Sequence, residues 1–309
     1  MLSLQREPSP ATENLRVLCE RISRQAEKAI PFLAELGEAD GAFLCSREGA
    51  GAPLLRELHP ALPAPAPHTS CLAEHRVMLS LALACGGEAL LPVYAEALIR
   101  ACRTGGAPLT LADFVSVRAS GAARVAYMKN PYADEAYEAF ASSLPSPTVS
   151  YTDSYRAACE EVAMAEADFC ILPYENAGGY LASTDALAER YGLLRTAGCR
   201  VFHADGTDVT HFALYGRAFL ACDAEAACTL LYRFPYGEEG SLARHFAAAA
   251  AFSVHATRVY AEKSEDEAYP MRATVTAAVP KKTLLPYLTY LTVFVRELVV
   301  CGLYKEKEL

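Results

Sequence analysis

The sequence predicts an α/β plus α+β architecture in three consecutive parts. Between residues 124 and 219, short apolar runs alternate with segments of helical periodicity, which indicates β-α-β units and a parallel sheet. After residue 228 the order of predicted elements is β-α-β-β-α-β, which is typical of a ferredoxin-like fold. Before residue 119, apolar residues recur at helical spacing. A chain of 309 residues is long enough for two or three such domains.

The N-terminal part is predicted to be helical. Residues 1–12 are predicted to be a disordered leader, and Thr12 can cap the helix that follows. Pro31 is expected to kink or break that helix. A Pro- and Ala-rich spacer at residues 59–68 separates it from further helices. These are predicted at 69–85, 88–103 and, as a short helix, 109–118.

The central part carries the candidate binding region. The run RVAYM (124–128) predicts a buried strand, and the run DFCILPY predicts another that ends in PYENAGG (173–179). A later strand begins with VTHF (209–212). Because ligands bind at the carboxyl ends of parallel strands, we expect the site where PYENAGG follows its strand.

Composition excludes several function classes. A net charge of −9 disfavours non-specific binding to nucleic acid or to anionic membrane surfaces. No apolar run approaches the roughly 20 residues of a membrane helix, and the N-terminus lacks the apolar stretch of a signal peptide. Eleven cysteines, an odd number without C-x-x-C, predict free thiols in a reducing cytoplasm. No metal-ligand spacing is present, and no cofactor is expected.

Two motifs carry a resemblance to a known family. PYENAGG resembles the PIENS-x-x-G motif of prephenate dehydratase, and VTHF resembles the Thr-Arg-Phe motif of that family. Thr210, Phe212 and Arg217 match the second motif, whereas His211 stands where the family has Arg. Ala177 stands where the first motif has Ser or Thr. The family has a second lobe between these motifs, but only 34 positions separate Asn176 from Thr210. The resemblance therefore implies a single periplasmic-binding-like, Rossmann-like lobe, and which of the two lobes is missing stays open.

The flanking parts resemble the domains that accompany this dehydratase in bifunctional chorismate mutase/prephenate dehydratases. Residues 18–43 resemble the first mutase helix, but Cys19 and Leu36 or Gly37 fall where substrate-binding arginines are expected. Mutase activity is therefore not expected, because neutral side chains cannot bind a dianion bidentately. Residues 226–307 resemble the ACT domain, which binds an amino acid at a dimer interface. The residues that match its effector motifs are Gly240, Ser241, Leu242, Thr257 and Arg258.

The resemblance implies four segments and a role for each candidate residue. The segments are a leader (1–12), a helical mutase-like domain (13–118), a dehydratase-like α/β lobe (119–222) and an ACT-like domain (226–307). Thr210, His211 and Phe212 form the catalytic motif, with Thr210 contacting the leaving hydroxyl. Glu175 and Asn176 order the substrate loop, and Gly178 and Gly179 let backbone N–H groups approach an anion.

A structural interpretation stands beside each of these roles. Thr210 is a β-branched residue at the start of a strand, and Phe212 fits a core position. Glu175 and Asn176 can cap the next turn through their side chains. His211 can be a structural or surface histidine, and a neutral imidazole is a weaker carboxylate anchor than Arg.

Two hypotheses of function follow from the resemblance. The first is a lyase that converts prephenate to phenylpyruvate in phenylalanine biosynthesis. The second is a non-catalytic, small-molecule-sensing protein that kept the architecture and lost the reaction. Both imply a cytoplasmic homodimer with a prephenate-like or aromatic amino acid-like ligand, and neither needs a nucleic acid, a membrane or a cofactor.

Overall fold

The computed structural model describes residues 29–45, 87–118, 121–203, 206, 208–220, 227–237, 241–263 and 271–307. The chain forms two compact units. The first contains Met1–Leu109, Ala243–Phe252 and Pro286–Phe294, and the second contains Thr110–Leu242, Ser253–Leu285 and Val295–Leu309. The predicted leader, Thr12, the 59–68 spacer and the first helix up to residue 28 lie outside the described residues. The mixed α/β class predicted from the sequence is confirmed.

Helices and strands alternate along most of the described chain. The helices are α1 (residues 29–45), α2 (Leu91–Thr104), α3 (Pro131–Ala141), α4 (Tyr155–Ala163), α5 (Ala182–Arg190), α6 (Ser241–Ala251) and α7 (Lys281–Phe294). The strands are β1 (Arg124–Met128), β2 (Thr148–Thr152), β3 (Phe169–Asn176), β4 (Gly179–Tyr180), β5 (Leu194–Phe202), β6 (Val209–Gly216), β7 (Cys228–Tyr236), β8 (His255–Lys263), β9 (Met271–Val279), β10 (Val299–Tyr304) and β11 (Glu306–Lys307). Short 3-10 turns cover Glu88–Leu90 and Leu111–Asp113. The helix predicted at 109–118 is therefore reduced to one turn, which Thr110 and Asp113 close as a capping box.

In the first unit, α1 and α2 pack closely together. A Cβ on Gly37 would lie 2.5 Å from the carbonyl oxygen of Tyr94, and one on Gly41 would lie 2.7 Å from that of Leu98. Only glycine fits at either position, so Gly37 has a packing role at a place where the mutase resemblance looks for an arginine. The buried Tyr94 hydroxyl donates to Asp40 at 2.6 Å, which fixes the register of the two helices.

All the described strands belong to the second unit and form one sheet. Its order is β2-β1-β3-β6-β5-β10-β7-β9-β8, with β4 paired to β3 and β11 paired to β5. The last four strands of this order pair antiparallel throughout and follow the chain order β7-α6-β8-β9-α7-β10. The strands of the predicted α/β lobe and ACT-like domain thus share one sheet. The domain boundaries at 119–222 and 226–307 stay predictions.

The prediction of a parallel central sheet is correct only for β2, β1 and β3. The β3–β6 and β5–β6 pairs are antiparallel. The physical reason is the short connection between β5 and β6, which leaves no room for a crossover helix and returns the chain directly. The Rossmann-like pattern is therefore limited to three strands, and the Thr210 strand runs opposite to them.

Side chains alternate between two faces of these central strands. Val125, Phe169 and Leu214 contribute to a core cluster with α3, whereas Ala126 and Cys170 contribute to a second cluster with α4 and α5. This alternation is the period of two that a strand buried on both faces requires. Because helices cover both faces, the polar groups at the strand ends are the accessible part of this layer.

The helices of this layer begin where the sequence provides caps. The Asn130 side chain accepts the N–H of Ala133, and Pro131 occupies the first helical position of α3. At the start of α4, the Ser154 hydroxyl accepts the N–H of Ala157. Both caps satisfy N–H groups that have no partner within the helix. They start the two helices directly after β1 and β2, at the carboxyl edge of the parallel strands.

Candidate functional site

The PYENAGG segment forms a tight hairpin between β3 and β4. Glu175 pairs with Tyr180, and Asn176 pairs with Gly179, whose φ of +104° favours glycine. The Asn176 side-chain oxygen accepts the N–H of Gly178 at 2.9 Å. This geometry supports the interpretation in which Asn176 caps the turn. The substrate-binding role of these residues stays a prediction.

Thr210 lies near the start of β6, beside a histidine that the sequence analysis did not single out. Its hydroxyl oxygen is 2.9 Å from Nε2 of His203. The His203 ring stacks on Tyr132, at the start of α3, with a centroid distance of 4.1 Å. The hydroxyl and the imidazole therefore lie together at the carboxyl edge of the parallel strands. The sequence analysis missed His203 because this residue lies in the segment directly after β5, outside both motifs.

His211 lies between two carboxylates. Its Nδ1 is 3.3 Å from Oε1 of Glu306 and 3.9 Å from Oε2 of Glu175. Glu306 also accepts the hydroxyl of Tyr174 at 2.8 Å and has Arg200 at 3.7 Å. The hydrogen bond with His211, helped by Tyr174 and Arg200, outweighs burial and lowers the pKa of Glu306 to about 2. Glu306 is therefore ionised at neutral pH, with His211 and Arg200 as its neighbours.

An ion pair joins Glu175 and Arg258, two residues that the sequence analysis placed in different sites. Oε2 of Glu175 lies 2.5 Å from the guanidinium of Arg258, on β8. Tyr180 and Tyr260 pack together beside this pair, with ring centroids 5.0 Å apart. The β3–β4 hairpin thus contacts β8, the last strand in the sheet order. Arg258, a predicted effector-binding residue, already has an internal carboxylate partner.

The remaining predicted residues are placed as follows. Phe212 is 3% exposed within the core cluster beside α3, as its structural interpretation expected. Thr257 is exposed and donates to the carbonyl oxygen of Thr276 at 3.1 Å. Ser241 begins α6, Leu242 follows it and is half-buried, and Gly240 lies outside the described residues. Their effector-binding role, like the catalytic role of Phe212, stays a prediction.

A buried ion pair between Arg195 and Asp185 joins β5 to α5. The Arg195 Nη2 donates to the two carboxylate oxygens of Asp185 at 2.8 and 3.0 Å, and Arg195 is 1% exposed. The hydroxyls of Tyr180 and Tyr215 also donate to Asp185. Burial alone would raise the pKa of Asp185, but Arg195 and the two hydroxyls lower it below its usual range. The guanidinium carbon of Arg195 also lies 3.9 Å from the ring centroid of Tyr174.

A cavity of about 150 Å³ opens beside α5, next to this ion pair. We call it the α5 cavity. Its apolar wall consists of Leu193, Leu194, Leu231 and Val299, and its polar wall includes Asp185, Glu189 and Arg233. Arg233 is 7% exposed and forms an ion pair with Glu189, and its Nε donates to Thr274 at 3.0 Å. Glu189 has a second cationic neighbour in Arg272, at 3.9 Å.

The α5 cavity also contains a cysteine with little reactivity. Cys301 lines it, and burial raises the pKa of its thiol to about 11. A thiol with this pKa is protonated at neutral pH, so it is not a nucleophile there. The polar chemistry of the cavity therefore comes from Glu189 and Arg233.

Neither a metal site nor a membrane helix is found in the described part of the chain. Among the described residues, no group of three or more His, Cys, Asp or Glu side chains could hold a metal ion. None of the described helices combines the length and the apolar character needed to cross a membrane.

Comparisons with known proteins found matches among solved structures alone. No family model matches the sequence, and no curated protein matches it. A structure described as GqqA, a novel type of quorum quenching acylase, is 20% identical over 60% of this chain and 95% of that chain, with a TM-score of 0.47.

Prephenate dehydratases are among the similar structures. The enzyme from Streptococcus mutans is 15% identical over 60% of this chain and 98% of that chain, with a TM-score of 0.47. The enzyme from Arthrobacter aurescens, in complex with L-Phe, is 13% identical over 59% of this chain and 89% of that chain, with a TM-score of 0.46. Each likeness has a TM-score below 0.5, so it assigns neither a family nor an activity to this chain.

Proposed function

We propose that this protein is a non-catalytic small-molecule-binding protein whose ligand is an amino acid-like zwitterion held in the α5 cavity. The observation that carries this proposal is the pairing of Arg233 with Glu189 on one wall of a cavity that is otherwise apolar. This is the non-catalytic, small-molecule-sensing hypothesis of the sequence analysis, with the α5 cavity proposed as its binding site.

The walls of the α5 cavity complement the three parts of such a ligand. The nearly buried guanidinium of Arg233 can receive a carboxylate bidentately. The carboxylate of Glu189, whose side chain is 49% exposed, can accept an ammonium group. Leu193, Leu231 and Val299 offer apolar contact to the side chain of the ligand. An engineered cavity of the same volume in another protein holds benzene, so an aromatic or branched side chain fits this size class.

Binding would exchange one internal ion pair for two ion pairs with the ligand. In the unliganded protein Glu189 and Arg233 satisfy each other, which avoids an unpaired buried charge. A zwitterion inserted between them gives each a new partner of opposite charge. A ligand with only one charge would leave one wall residue unsatisfied, and this is the physical source of specificity for a zwitterion.

The carboxyl edge is poorly suited to prephenate, which carries two carboxylates. His211 stands where the dehydratase family has an arginine, and its Nδ1 is already engaged by Glu306 at 3.3 Å, with Glu175 at 3.9 Å. The two carboxylates would repel the dianion at close range. These contacts support a protein without dehydratase turnover.

One observation favours a second candidate function, prephenate dehydratase. The Thr210 hydroxyl lies 2.9 Å from His203 Nε2 at the carboxyl edge. A hydroxyl held by an imidazole can hydrogen-bond a leaving hydroxyl and relay a proton to it. This hypothesis requires turnover that depends on Thr210 and His203.

Calorimetric titration with L-phenylalanine and two analogues tests the first proposal. 3-Phenylpropionate lacks the ammonium group and 2-phenylethylamine lacks the carboxylate, so each is expected to bind at least about tenfold more weakly than the amino acid, because each loses a charge-assisted contact. Glu189→Gln should weaken phenylalanine binding by a similar factor but should not weaken phenylpropionate binding, because the variant has no carboxylate that this ligand leaves unpaired. Glu38→Gln, which removes the carboxylate of an exposed ion pair with Arg100, is the matched control.

Two outcomes would contradict the α5 cavity as the site. In the first, neither phenylalanine nor an aliphatic amino acid such as leucine binds the folded protein. In the second, phenylalanine binds but Glu189→Gln leaves its affinity unchanged. The second outcome would move the amino acid site elsewhere, with the predicted effector residues Thr257 and Arg258 as the next candidates.

Dimerisation is part of the same proposal. The antiparallel arrangement of β7 to β10 and the matches at Thr257 and Arg258 support an ACT-like unit, and the resemblance implies a homodimer formed through it. Light scattering at micromolar concentration checks this, and a monomer at that concentration would count against it.

A further inference from the structure

A second cavity lies at the opposite edge of the sheet, where β1 and β3 begin. Its volume is about 430 Å³, within the usual range of small-molecule pockets. Its lining residues are Ser116, Arg118, Asp168, Phe169, Arg217 and Ala218. We call it the amino-edge cavity. Neither candidate function uses it. It shares no lining residue with the α5 cavity, and Arg217 lies seven residues after Thr210 along extended backbone, or about 23 Å away.

The amino edge carries more positive than negative charge. Asp168 pairs with Arg118 at 3.3 Å and with Arg124 at 3.3 Å, and it accepts the backbone N–H of Arg124 at 2.8 Å. Burial alone would raise the pKa of Asp168, but these contacts lower it, so it is ionised at neutral pH. In the described part of this edge, Arg118, Arg124 and Arg217 lie near one carboxylate, Asp168, which leaves a local excess of positive charge in a chain whose net charge is −9.

Arg217 supplies the part of this charge that no carboxylate among the described residues neutralises. Its side chain is exposed at the rim of the cavity, directly after the last residue of β6. Across the described ranges of the chain, no carboxylate forms an ion pair with it. An arginine that lines a cavity without an internal partner has its full set of N–H donors available to a ligand.

Arg118 is held in place on the opposite rim. Its Nη2 donates to the carbonyl oxygen of Ala122 at 3.0 Å, and its guanidinium carbon lies 5.0 Å from the ring centroid of Phe169. The backbone beside it is bonded to the segment that follows Arg217. The backbone N–H of Arg118 donates to the carbonyl oxygen of Phe219 at 2.8 Å, and the backbone N–H of Phe219 donates to the carbonyl oxygen of Ser116 at 2.8 Å. The two arginines thus lie on paired segments, which fixes the spacing of their backbones.

We infer that the amino-edge cavity binds a small organic anion through Arg217 and Arg118. The planar guanidinium groups suit carboxylate or phosphate oxygens, which they bind bidentately. The volume admits a molecule larger than a single inorganic ion, such as a dicarboxylate or a phosphate-bearing metabolite. Asp168 contacts Arg118 through Nη1, at 3.3 Å, and the excess positive charge of the arginines disfavours ligands with a positive charge.

Calorimetric titration of the full chain with pyrophosphate and with succinate, at about 0.01 M ionic strength, tests the inference. At this ionic strength screening is weak. We expect the wild-type protein to bind at least one of the two anions with a millimolar or lower Kd. Arg217→Ala should weaken that binding at least about tenfold. Arg190→Ala, which removes another exposed arginine at the end of α5, should bind as the wild type does. The tighter of the two anions identifies phosphate or carboxylate as the group recognised.

Two results would overturn the inference. One is the absence of binding of both anions by the folded wild-type protein. The other is binding that Arg217→Ala and Arg190→Ala reduce equally, because that would reflect net charge and not this cavity. Since Arg217 is exposed, Arg217→Ala should fold normally, and circular dichroism before titration verifies this. The result does not depend on the α5 cavity, whose test uses other ligands and other residues.

Discussion

Charged side chains are paired differently at the two edges of the sheet. At the carboxyl edge, Glu175 and Glu306 meet His211, Arg258 and Arg200 within the protein. At the amino edge, among the described residues, Arg118, Arg124 and Arg217 outnumber the carboxylate that pairs with two of them, Asp168. Each of these charges at the carboxyl edge has a partner within the protein, whereas Arg217 at the amino edge has no carboxylate partner among the described residues. The comparison therefore places ligand chemistry where a charge is left over or easily exchanged, and this is the opposite edge from the one that the motifs indicate.

The largest effect is expected at the buried ion pair between Arg195, on β5, and Asp185, on α5. Arg195→Met removes the guanidinium and leaves Asp185 buried without its cation, so the free energy of unfolding should fall by about 3–5 kcal/mol. Chemical denaturation measures this. A loss below about 1 kcal/mol would mean that Asp185 becomes protonated or solvated at little cost, and the charge-pairing account of this region would be wrong.

An intermediate effect is expected at Glu306, and it depends on pH. Its pKa is lowered from 4.5 to about 2, so its contacts stabilise the folded state above pH 4.5, and this contribution is lost as the pH falls through 2. Glu306→Gln should lower the free energy of unfolding by about 1 kcal/mol at pH 7, because a charge-assisted hydrogen bond is weakened at a partly exposed site.

Denaturation of both proteins at several pH values checks the sign of this dependence. The difference between wild type and Glu306→Gln should shrink as the pH is lowered from 4.5 towards 2. A difference that stays constant over this interval would mean that the ionised carboxylate is not what the contacts of Glu306 stabilise.

The smallest stability effect is expected at the amino edge. Arg217 is exposed, and no carboxylate in the described part of the chain pairs with it, so Arg217→Ala should change the free energy of unfolding by less than about 0.5 kcal/mol. The same denaturation experiment measures it. A loss above about 1 kcal/mol would show a structural role for Arg217 and would weaken the contrast between the edges.

Local sequence patterns predicted most of the second unit. The alternation of apolar runs and helical periodicity indicated β1, α3, α4 and β3, and the cap residues Asn130 and Ser154 mark where the helices begin. The antiparallel course of β6 was missed, because strand direction depends on how a short connection returns the chain and not on the residues of the strand.

The candidate site was predicted only in part, since its contacts join residues distant along the chain. The motifs pointed to Glu175, Thr210 and His211, which lie at the same edge. Glu306 was missed because it follows β10, about 95 positions after His211, and Arg195 was missed because an arginine within an apolar run carries no local sign of its partner Asp185. The position of a charged residue between two apolar runs was the one signal in the sequence that Arg195 is buried, but it does not identify Asp185 as the partner.

The most direct test of the proposed function is incubation of the purified protein with prephenate beside a Thr210→Ala variant, with phenylpyruvate followed by its absorbance in alkali. Binding without catalysis predicts that both proteins form phenylpyruvate at the spontaneous rate. Turnover above that rate which Thr210→Ala abolishes, with both proteins folded, would contradict it and would establish the Thr210–His203 pair as the centre of a dehydratase.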